Sequence, residues 1–552
     1  MQSGLERTTH HVDPCTDILN QITDWQRCNA NFSLRDAMSD PRRSADLSIT
    51  LGPLYYDASR QRVDAELLGY LRAYGAKRGL PDFLKDMAAG LHVNTSEQRP
   101  AHHLALRDLE HHLADQKASA LATVHRQRMF DLLDLIRTGQ RTGARGKKIH
   151  TLVNIGVGGS HLGSAMAVHA LAEFTHNDFK VHFVSSMDGV LLHDLLPRIE
   201  LDHTLFLISS KTFTTLDTFE NVRSCELWMQ QSGYTDEEIR RHFIGISADS
   251  AAMSRYGIPA DLQLEFMSSI GGRFSIASTI GMPLAAHLGR SGFMDFLRGM
   301  QRVDQHVMSE GMHSIPATMA LLEWYNSVHL GVRALVILPY HQRLAIFPHY
   351  LMQLQMESLG KCCSLSGHPL DHSGLLVFGD VGSDAQHSFM QLLHQGTHRV
   401  QADFILYARM PHTRSGQRDC TQANALAQAL ALAQGYSDQE AHRDFPSESE
   451  IQRSTRIHRG NVPSSILLFD QLDPTTLGML IALYEHKTVL LARLFDVNPF
   501  DQMGVELGKR VARHLVPVLK DGADPALINA QDPCTQSLLH VLHRYREEGL
   551  RS

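Results

Sequence analysis

The sequence predicts an α/β chain built around two parallel-sheet units, with helical segments at both ends. Three observations predict it. Short runs rich in Val, Ile, Leu and Phe alternate with helical segments twice along the chain, and such alternation is the pattern of β-α-β units, which build parallel sheets. A mostly helical stretch around 283–330 separates the two series. Neither end of the chain shows the strand pattern.

The elements follow in order. Residues 1–118 read as helices with polar joints, carried by "TDILNQITDWQRCNANFSLRDAM", "DAELLGYLRAYGAKRGL" and "LPDFLKDMAAGLHV". A Gly/Arg/Lys-rich joint follows at 137–148. The first α/β series holds "IHTLVNIGVGGS", "FKVHFVSSMD", "HTLFLISSKTFTT" and "FIGISAD". The second holds "VRALVILPY", "SGLLVFGDVGS" and "VQADFILYARM". This gives a helical segment over 1–118, a first and smaller α/β domain over 119–290, a second and larger one over 291–510, and a helical arm over 511–552. No internal repeat or low-complexity tract is visible.

Composition narrows the function classes. The 552 residues are 43% hydrophobic and 20% charged, as in an ordinary globular protein. The net charge of −7 supplies no basic field for nucleic acid or an anionic membrane. The N-terminal sequence lacks a charged–apolar–small leader pattern. The stretch 475–495 is apolar but carries Glu485, His486, Lys487 and Arg493, too many charges for a span of about 20 residues; a buried amphipathic helix is expected. Seven cysteines with no CxxC pair suit reduced thiols, hence a cytoplasmic protein. The 34 histidines make the net charge pH-dependent and have no further account from sequence.

Six stretches carry chemistry. In "NIGVGGSHLG" a strand runs into Gly156, Gly158, Gly159 and Ser160 and a helix opens. Glycines allow close backbone approach, and a helix start offers N–H groups to an anion. The pattern is neither G-x-G-x-x-G nor a P-loop, so a phosphate or sugar-phosphate cradle is favoured over a dinucleotide site or a bare turn. In "ISSKTFTT" a strand enters Ser209, Ser210, Lys211, Thr212, Thr214 and Thr215. One hydroxyl would cap a helix; five around a lysine are suited to a phosphate dianion. In "IGGRFSIAS", paired glycines allow Arg273 to come near a ligand, where a permanent cation can stabilise a developing oxyanion; a surface Arg in a turn is the plain alternative, and the better one for this stretch alone.

In "FPHYLMQLQMESLGK", Gln353 and Glu357 lie four apart on an apolar helix and so share a face. A carboxylate in dry, apolar surroundings suits a general base; an ordinary exposed Glu is the plain alternative. In "AQHSFMQLLHQGTH", His387 is read at a helix start, as an imidazole able to move a proton near neutral pH. His394 and His398 have metal-ligand spacing but no acidic partner motif, and no metal site is assigned. In "NPFDQMGVELGK" a helix begins after Asn498-Pro499 and carries Gln502, Glu506 and Lys509.

Taken together, these stretches resemble the glucose-6-phosphate isomerase (phosphoglucose isomerase) family. "GVGGSHLG", "SSKTFTT", "IGGRFSIAS", "MESLGK", "AQHSF…HQGT" and "FDQMGVELGK" occur in that family's order and approximate spacing, across roughly 90–510. "SEQRPAHHLALR" adds to the likeness. The resemblance implies two sugar-isomerase-type α/β domains, a homodimer with a shared active site, a small sugar-phosphate substrate, and no metal or organic cofactor. It implies phosphate-side contacts from Gly159, Ser160, Ser210, Lys211, Thr212 and Thr215. Gln353 and Gln502 would position the substrate and Glu357 would be the base between C2 and C1. Arg273 would stabilise the enediolate. His387, from the partner subunit, would open the ring with help from Lys509.

The chain departs from the family pattern at His161 (commonly Asp), Asp217 (Glu), Met503 (Trp) and Ser465 (Asn). These bear on rate and substrate preference rather than on the reaction. A mannose 6-phosphate enzyme, a non-enzymatic sugar-phosphate regulator and a nicotinamide-dependent enzyme are the competing readings. The pattern around His387 and Lys509 follows the glucose enzyme and disfavours the first; Glu357, His387 and Lys509 kept together, without a basic DNA-reading segment, disfavour the second; the glycine pattern disfavours the third.

Overall fold

The apolar runs form strands where their length and β-branched content demand it. The computed structural model describes residues 15–176, 178–411, 413–520 and 524–549. Its strands are β1 (Ser48–Leu51), β2 (Leu54–Asp57), β3 (Thr151–Ile155), β4 (Lys180–Val184), β5 (Thr204–Ser209) and β6 (Phe243–Ser247). They continue with β7 (Gln263–Glu265), β8 (Ala334–Pro339), β9 (Leu376–Gly379), β10 (Val400–Arg409) and β11 (Ser464–Gln471).

Two sheets result. The first has the order β4-β3-β5-β6-β7 and every pairing in it is parallel. β3, β5 and β6 are buried along their whole length, which is why they read as unbroken apolar runs rather than as alternation. The second sheet has the order β1-β2-β11-β10-β8-β9. The three strands of the second α/β series, β8, β9 and β10, run parallel and are joined in parallel by β11, which the sequence reading did not single out. This is the α/β fold with two parallel-sheet units that the sequence predicts.

The second sheet also corrects the reading of the N-terminal segment. Residues 1–118 supply helices, among them Thr16–Cys28, Ala65–Lys77 and Leu80–Ala88. They also supply the hairpin β1–β2, whose second strand adds antiparallel to β11. Each strand is four residues long, too short for a period of two to stand out in sequence. Gly52, at φ +55°, makes the turn.

The long helices Met282–Glu310 and Pro474–Leu494 pack along each other. A side chain on Gly299 would overlap the Thr475 carbonyl, and one on Gly478 the Phe296 carbonyl, so the two glycines set how closely these helices approach. Helix Pro474–Leu494 is not amphipathic as expected: nearly all of it is buried. Its charges are paired inside the protein instead of facing solvent. Lys487 Nζ lies 2.6 Å from Glu323 and 3.4 Å from Asp403. Arg107 donates to both oxygens of Asp304, at 2.7 and 2.8 Å, and to Glu485, while His486 Nε2 meets Asp304 at 2.7 Å. Burial pushes the Glu485 carboxyl up to about 7 against the pull of Arg107. No helix among the described residues is long and apolar enough to cross a membrane.

The chain divides into two compact units at Phe500/Asp501. The second unit contains helices Glu506–Leu515, Pro525–Asn529 and Pro533–Gly549, with Val518, Ile528 and Leu539 as its small core.

Candidate active site

Strand ends and the loops after them assemble the site, as parallel sheets require. The loop after β3 turns at Gly158, φ +55°, and brings Gly159 against Gly272. A Cβ on Gly159 would stand 2.1 Å from the Gly272 carbonyl carbon, so only glycine fits this approach. Ser275 Oγ ties the two loops together, donating to the Gly272 carbonyl at 2.6 Å and the Gly159 carbonyl at 3.3 Å. Asn154, buried at the end of β3, donates to the Ser160 carbonyl and accepts from Ser209 Oγ. One buried amide thereby sets the register between the glycine loop and the hydroxyl-rich loop.

The hydroxyl-rich loop follows β5. Ser210 and Thr215 share a hydrogen bond of 3.0 Å, and Thr212 and Thr214 one of 2.8 Å. Phe213 takes a left-handed φ of +53° and is buried, which turns the loop back on itself. The Lys211 carbonyl accepts from Ser247 Oγ and Ala248 N–H, anchoring the loop to the end of β6. Burial pulls the Lys211 ammonium down to about 8, with the positive charges of Arg99 and Arg273 adding to the fall and Glu97 opposing it. A lysine crowded by two guanidiniums is poised to accept an anion.

Arg273 is buried, with its side chain 1% exposed. Its Nε donates to Ser358 Oγ at 2.6 Å, its Nη2 to the Pro499 carbonyl, and its Nη1 lies 3.5 Å from Glu357 Oε1. Glu357 remains 24% exposed, so its carboxylate faces open space on one side and the guanidinium on the other. The helix that carries it is not a plain α-helix. Phe347–Leu351 is α-helical, and Met352–Glu357 widens to a π-helix, a form frequent at functional sites. Within that wide turn Gln355 points inward to Glu323. Gln353 points to the glycine loop, its Nε2 3.0 Å from where a Cβ of Gly158 would be.

The structure therefore brings Gly158, Gly159, Gln353, Arg273 and Glu357 together, with Lys211 in electrostatic reach of Arg273. Ser160 follows Gly159 in the same loop, and Ser210, Thr212 and Thr215 share the loop of Lys211. His387 stands apart from these groups. It is exposed, it ends the short helix Gly382–Gln386 rather than starting one, and its ring makes no hydrogen bond among the described residues. Gln502 and Lys509 belong to the second unit. Gln502 precedes the turn Met503–Val505, and Lys509 is exposed and pairs with Glu506 at 2.9 Å.

The departures are also placed. His161 packs its ring edge-on against Phe183, and burial lowers its proton affinity. Asp217 lies in the first turn of helix Leu216–Gln231. Ser465 is buried against Tyr56 and Gln61. Met503 is exposed. Sequence reasoning missed Ser358 and the Pro499 carbonyl, which accept from Arg273. Both lie beside residues singled out above, but no spacing rule links positions 273, 358 and 499.

Fold and site define an α/β protein with a glycine loop and a hydroxyl-rich loop at the ends of parallel strands, beside a carboxylate–guanidinium pair. The family model "Phosphoglucose isomerase" matches residues 57–539. The chain is 38% identical over 532 residues to a glucose-6-phosphate isomerase of Acinetobacter baumannii (strain AYE), covering 93% of this chain and 95% of that one. It is 40% identical over 514 residues to one of Anaeromyxobacter sp. (strain K), covering 92% and 93%. A crystal structure of a glucose-6-phosphate isomerase from Chlamydia trachomatis superposes with a TM-score of 0.82 at 28% identity, covering 96% of this chain and 99% of that one. The chain belongs to the phosphoglucose isomerase family, and it is an enzyme of the aldose–ketose isomerase class.

Proposed function

We propose that this enzyme interconverts glucose 6-phosphate and fructose 6-phosphate through a cis-enediolate, in glycolysis and gluconeogenesis in the cytoplasm. The observation that carries the reading is the partly buried Glu357 carboxylate 3.5 Å from the buried Arg273 guanidinium. In this reading Gly159, Ser160, Ser210, Lys211, Thr212 and Thr215 hold the phosphate. His387 of a second subunit opens the sugar ring by proton transfer at the ring oxygen, with Lys509 assisting. Glu357 takes the proton from C2 of the open-chain aldose and returns it to C1. Arg273 stabilises the charge that develops on the enediolate oxygens, and Gln353 and Gln502 position the chain of the sugar. A positioned base contributes about 10²–10⁴-fold, and fixed charge aimed at an oxyanion contributes on a similar scale.

The reading includes a homodimer and the division into domains at 119–290 and 291–510. It assigns the reaction no metal or organic cofactor. The test supplies purified enzyme with fructose 6-phosphate and follows glucose 6-phosphate through a coupled dehydrogenase. Turnover with exchange of the C2 proton against solvent supports the mechanism. Binding without turnover, or turnover with mannose 6-phosphate alone, overturns it. The shared site is tested by mixing His387→Ala and Glu357→Gln subunits. Restored activity in verified heterodimers supports it; none counts against it.

A further inference from the structure

We propose that His150, Glu200 and His203 form a binding site for a transition-metal dication of the zinc type, at the end of the first sheet away from the candidate active site. One ring nitrogen from each histidine and one carboxylate oxygen of Glu200 lie within 4.8 Å of one another. His203 Nε2 and Glu200 Oε2 are 3.8 Å apart.

Sheet register builds the pair. β3 and β5 are parallel neighbours with Thr151 opposite Thr204, so the residues just before them, His150 and His203, stand side by side. The His150 N–H donates to the His203 carbonyl at 3.0 Å, extending the ladder by one bond. Adjacent strands are about 4.8 Å apart, and the two imidazoles stack at 4.7 Å between centroids, 15° from parallel. Glu200 begins the tight turn into His203, whose N–H donates to the Glu200 carbonyl. The backbone at all three positions is held in place.

The hydrogen bonds suit ligation, and a turn of one ring about its χ2 would bring the two in-plane lone pairs, now in near-parallel planes, onto one ion. His203 Nδ1 donates to the Lys148 carbonyl at 2.6 Å. A carbonyl only accepts, so Nδ1 carries the proton and a neutral ring presents Nε2 as a lone pair. A histidine that gives its other N–H to a backbone carbonyl is the usual arrangement around protein-bound metals. His150 Nδ1 meets the buried Thr151 hydroxyl at 3.1 Å. Tetrahedral ligands at about 2.0 Å from a zinc ion are about 3.3 Å apart. Glu200 is 74% exposed and free to swing the remaining distance. Two imidazoles and one carboxylate select zinc, nickel or copper over magnesium or calcium.

The site would clip the start of β3 to the turn before β5, and a ligand that binds the folded form alone stabilises it by mass action. It lies a full strand away from the glycine loop, about 17 Å for five residues, so it is no part of the proposed catalytic machinery.

The test titrates tag-free, full-length enzyme with cobalt(II), read by its visible d–d absorption, and then displaces cobalt with zinc. Wild-type enzyme is expected to bind one equivalent with tetrahedral-type bands. His203→Ala should lose them, and Glu200→Gln, on an exposed side chain, should bind at least tenfold more weakly while keeping the wild-type circular dichroism. Zinc should raise the Tm of wild type, raise that of Glu200→Gln less and leave that of His203→Ala unchanged, and isomerase turnover should be the same in all three. Equal cobalt binding by wild type and a folded His150→Ala/His203→Ala variant would overturn the site, as would wild-type enzyme without tetrahedral bands.

Discussion

Arg273 Nη1 stands 3.5 Å from Glu357 Oε1, close enough to interact and too far for a tight hydrogen-bonded ion pair. The guanidinium is fixed by Ser358 and the Pro499 carbonyl rather than by the carboxylate. The Glu357 carboxylate thus stays open on one side, while the cation beside it is held by other groups. Glu357→Gln keeps the size and removes the base. It is expected to lower kcat by about 10²–10⁴-fold with KM little changed, checked by steady-state rates and by C2 proton exchange. Near-normal exchange would remove Glu357 from its assigned role.

Ser358 acts through Arg273. Ser358→Ala deletes the 2.6 Å acceptor of Nε and leaves the Pro499 contact. Loss of one charge-assisted hydrogen bond is worth about 1.5–3 kcal/mol, so kcat/KM should fall at least about tenfold. The fall should lie in kcat rather than KM, and Ser358→Thr should restore part of it. An equal loss of thermal stability with unchanged kcat would mark Ser358 as structural.

Lys211 sets a pH limb. Its ammonium is pulled down to about 8 from an ordinary 10.5, chiefly by burial. Below about 8 it is charged and can hold a phosphate dianion; above 8 it is neutral, so KM for the sugar phosphate should rise with pH from there. Lys211→Met should raise KM at neutral pH and abolish the limb. For stability the sign is the reverse. The unfolded chain binds the proton more tightly between 8 and 10.5, so this group makes the fold more stable as pH rises through that window.

Lys487 holds two buried carboxylates. Lys487→Met should destabilise by about 3–5 kcal/mol, because Glu323 and Asp403 are left facing each other without a cation. Urea unfolding measures it. The triple variant Lys487→Met, Glu323→Gln, Asp403→Asn removes the charges together and should recover most of the loss.

Gly159→Ala tests the close approach of the two loops. Its Cβ would meet the Gly272 backbone at 2.1 Å, and backbone cannot step aside as a side-chain tip can. Activity should fall by more than about tenfold, while Gly416→Ala, with open space around it and an ordinary φ, should leave turnover unchanged.

Much was legible in the sequence for physical reasons. Strands such as Thr204–Ser209 are buried on both faces, so they must be apolar throughout, and their alternation with helices dictates parallel sheets. The loops at strand ends declare themselves by residue types that packing alone would not choose, as in "GVGGS" and "SSKTFTT". The hairpin Ser48–Asp57 was not legible, because each strand is too short to show a period. Nor was the fate of Glu485, His486 and Lys487. One helix shows its charges but not their partners at 107, 304, 323 and 403.

By itself, then, the sequence determined the α/β class, the order of the strand series, and the family to which its motifs belong. Those follow from local periodicity and residue type. The tertiary structure alone decided that Gly159 meets Gly272, that Ser358 and Pro499 aim Arg273 at Glu357, and that His150 lies beside His203. Each is a contact between positions distant in the chain, set by sheet register and packing, and no local spacing encodes it.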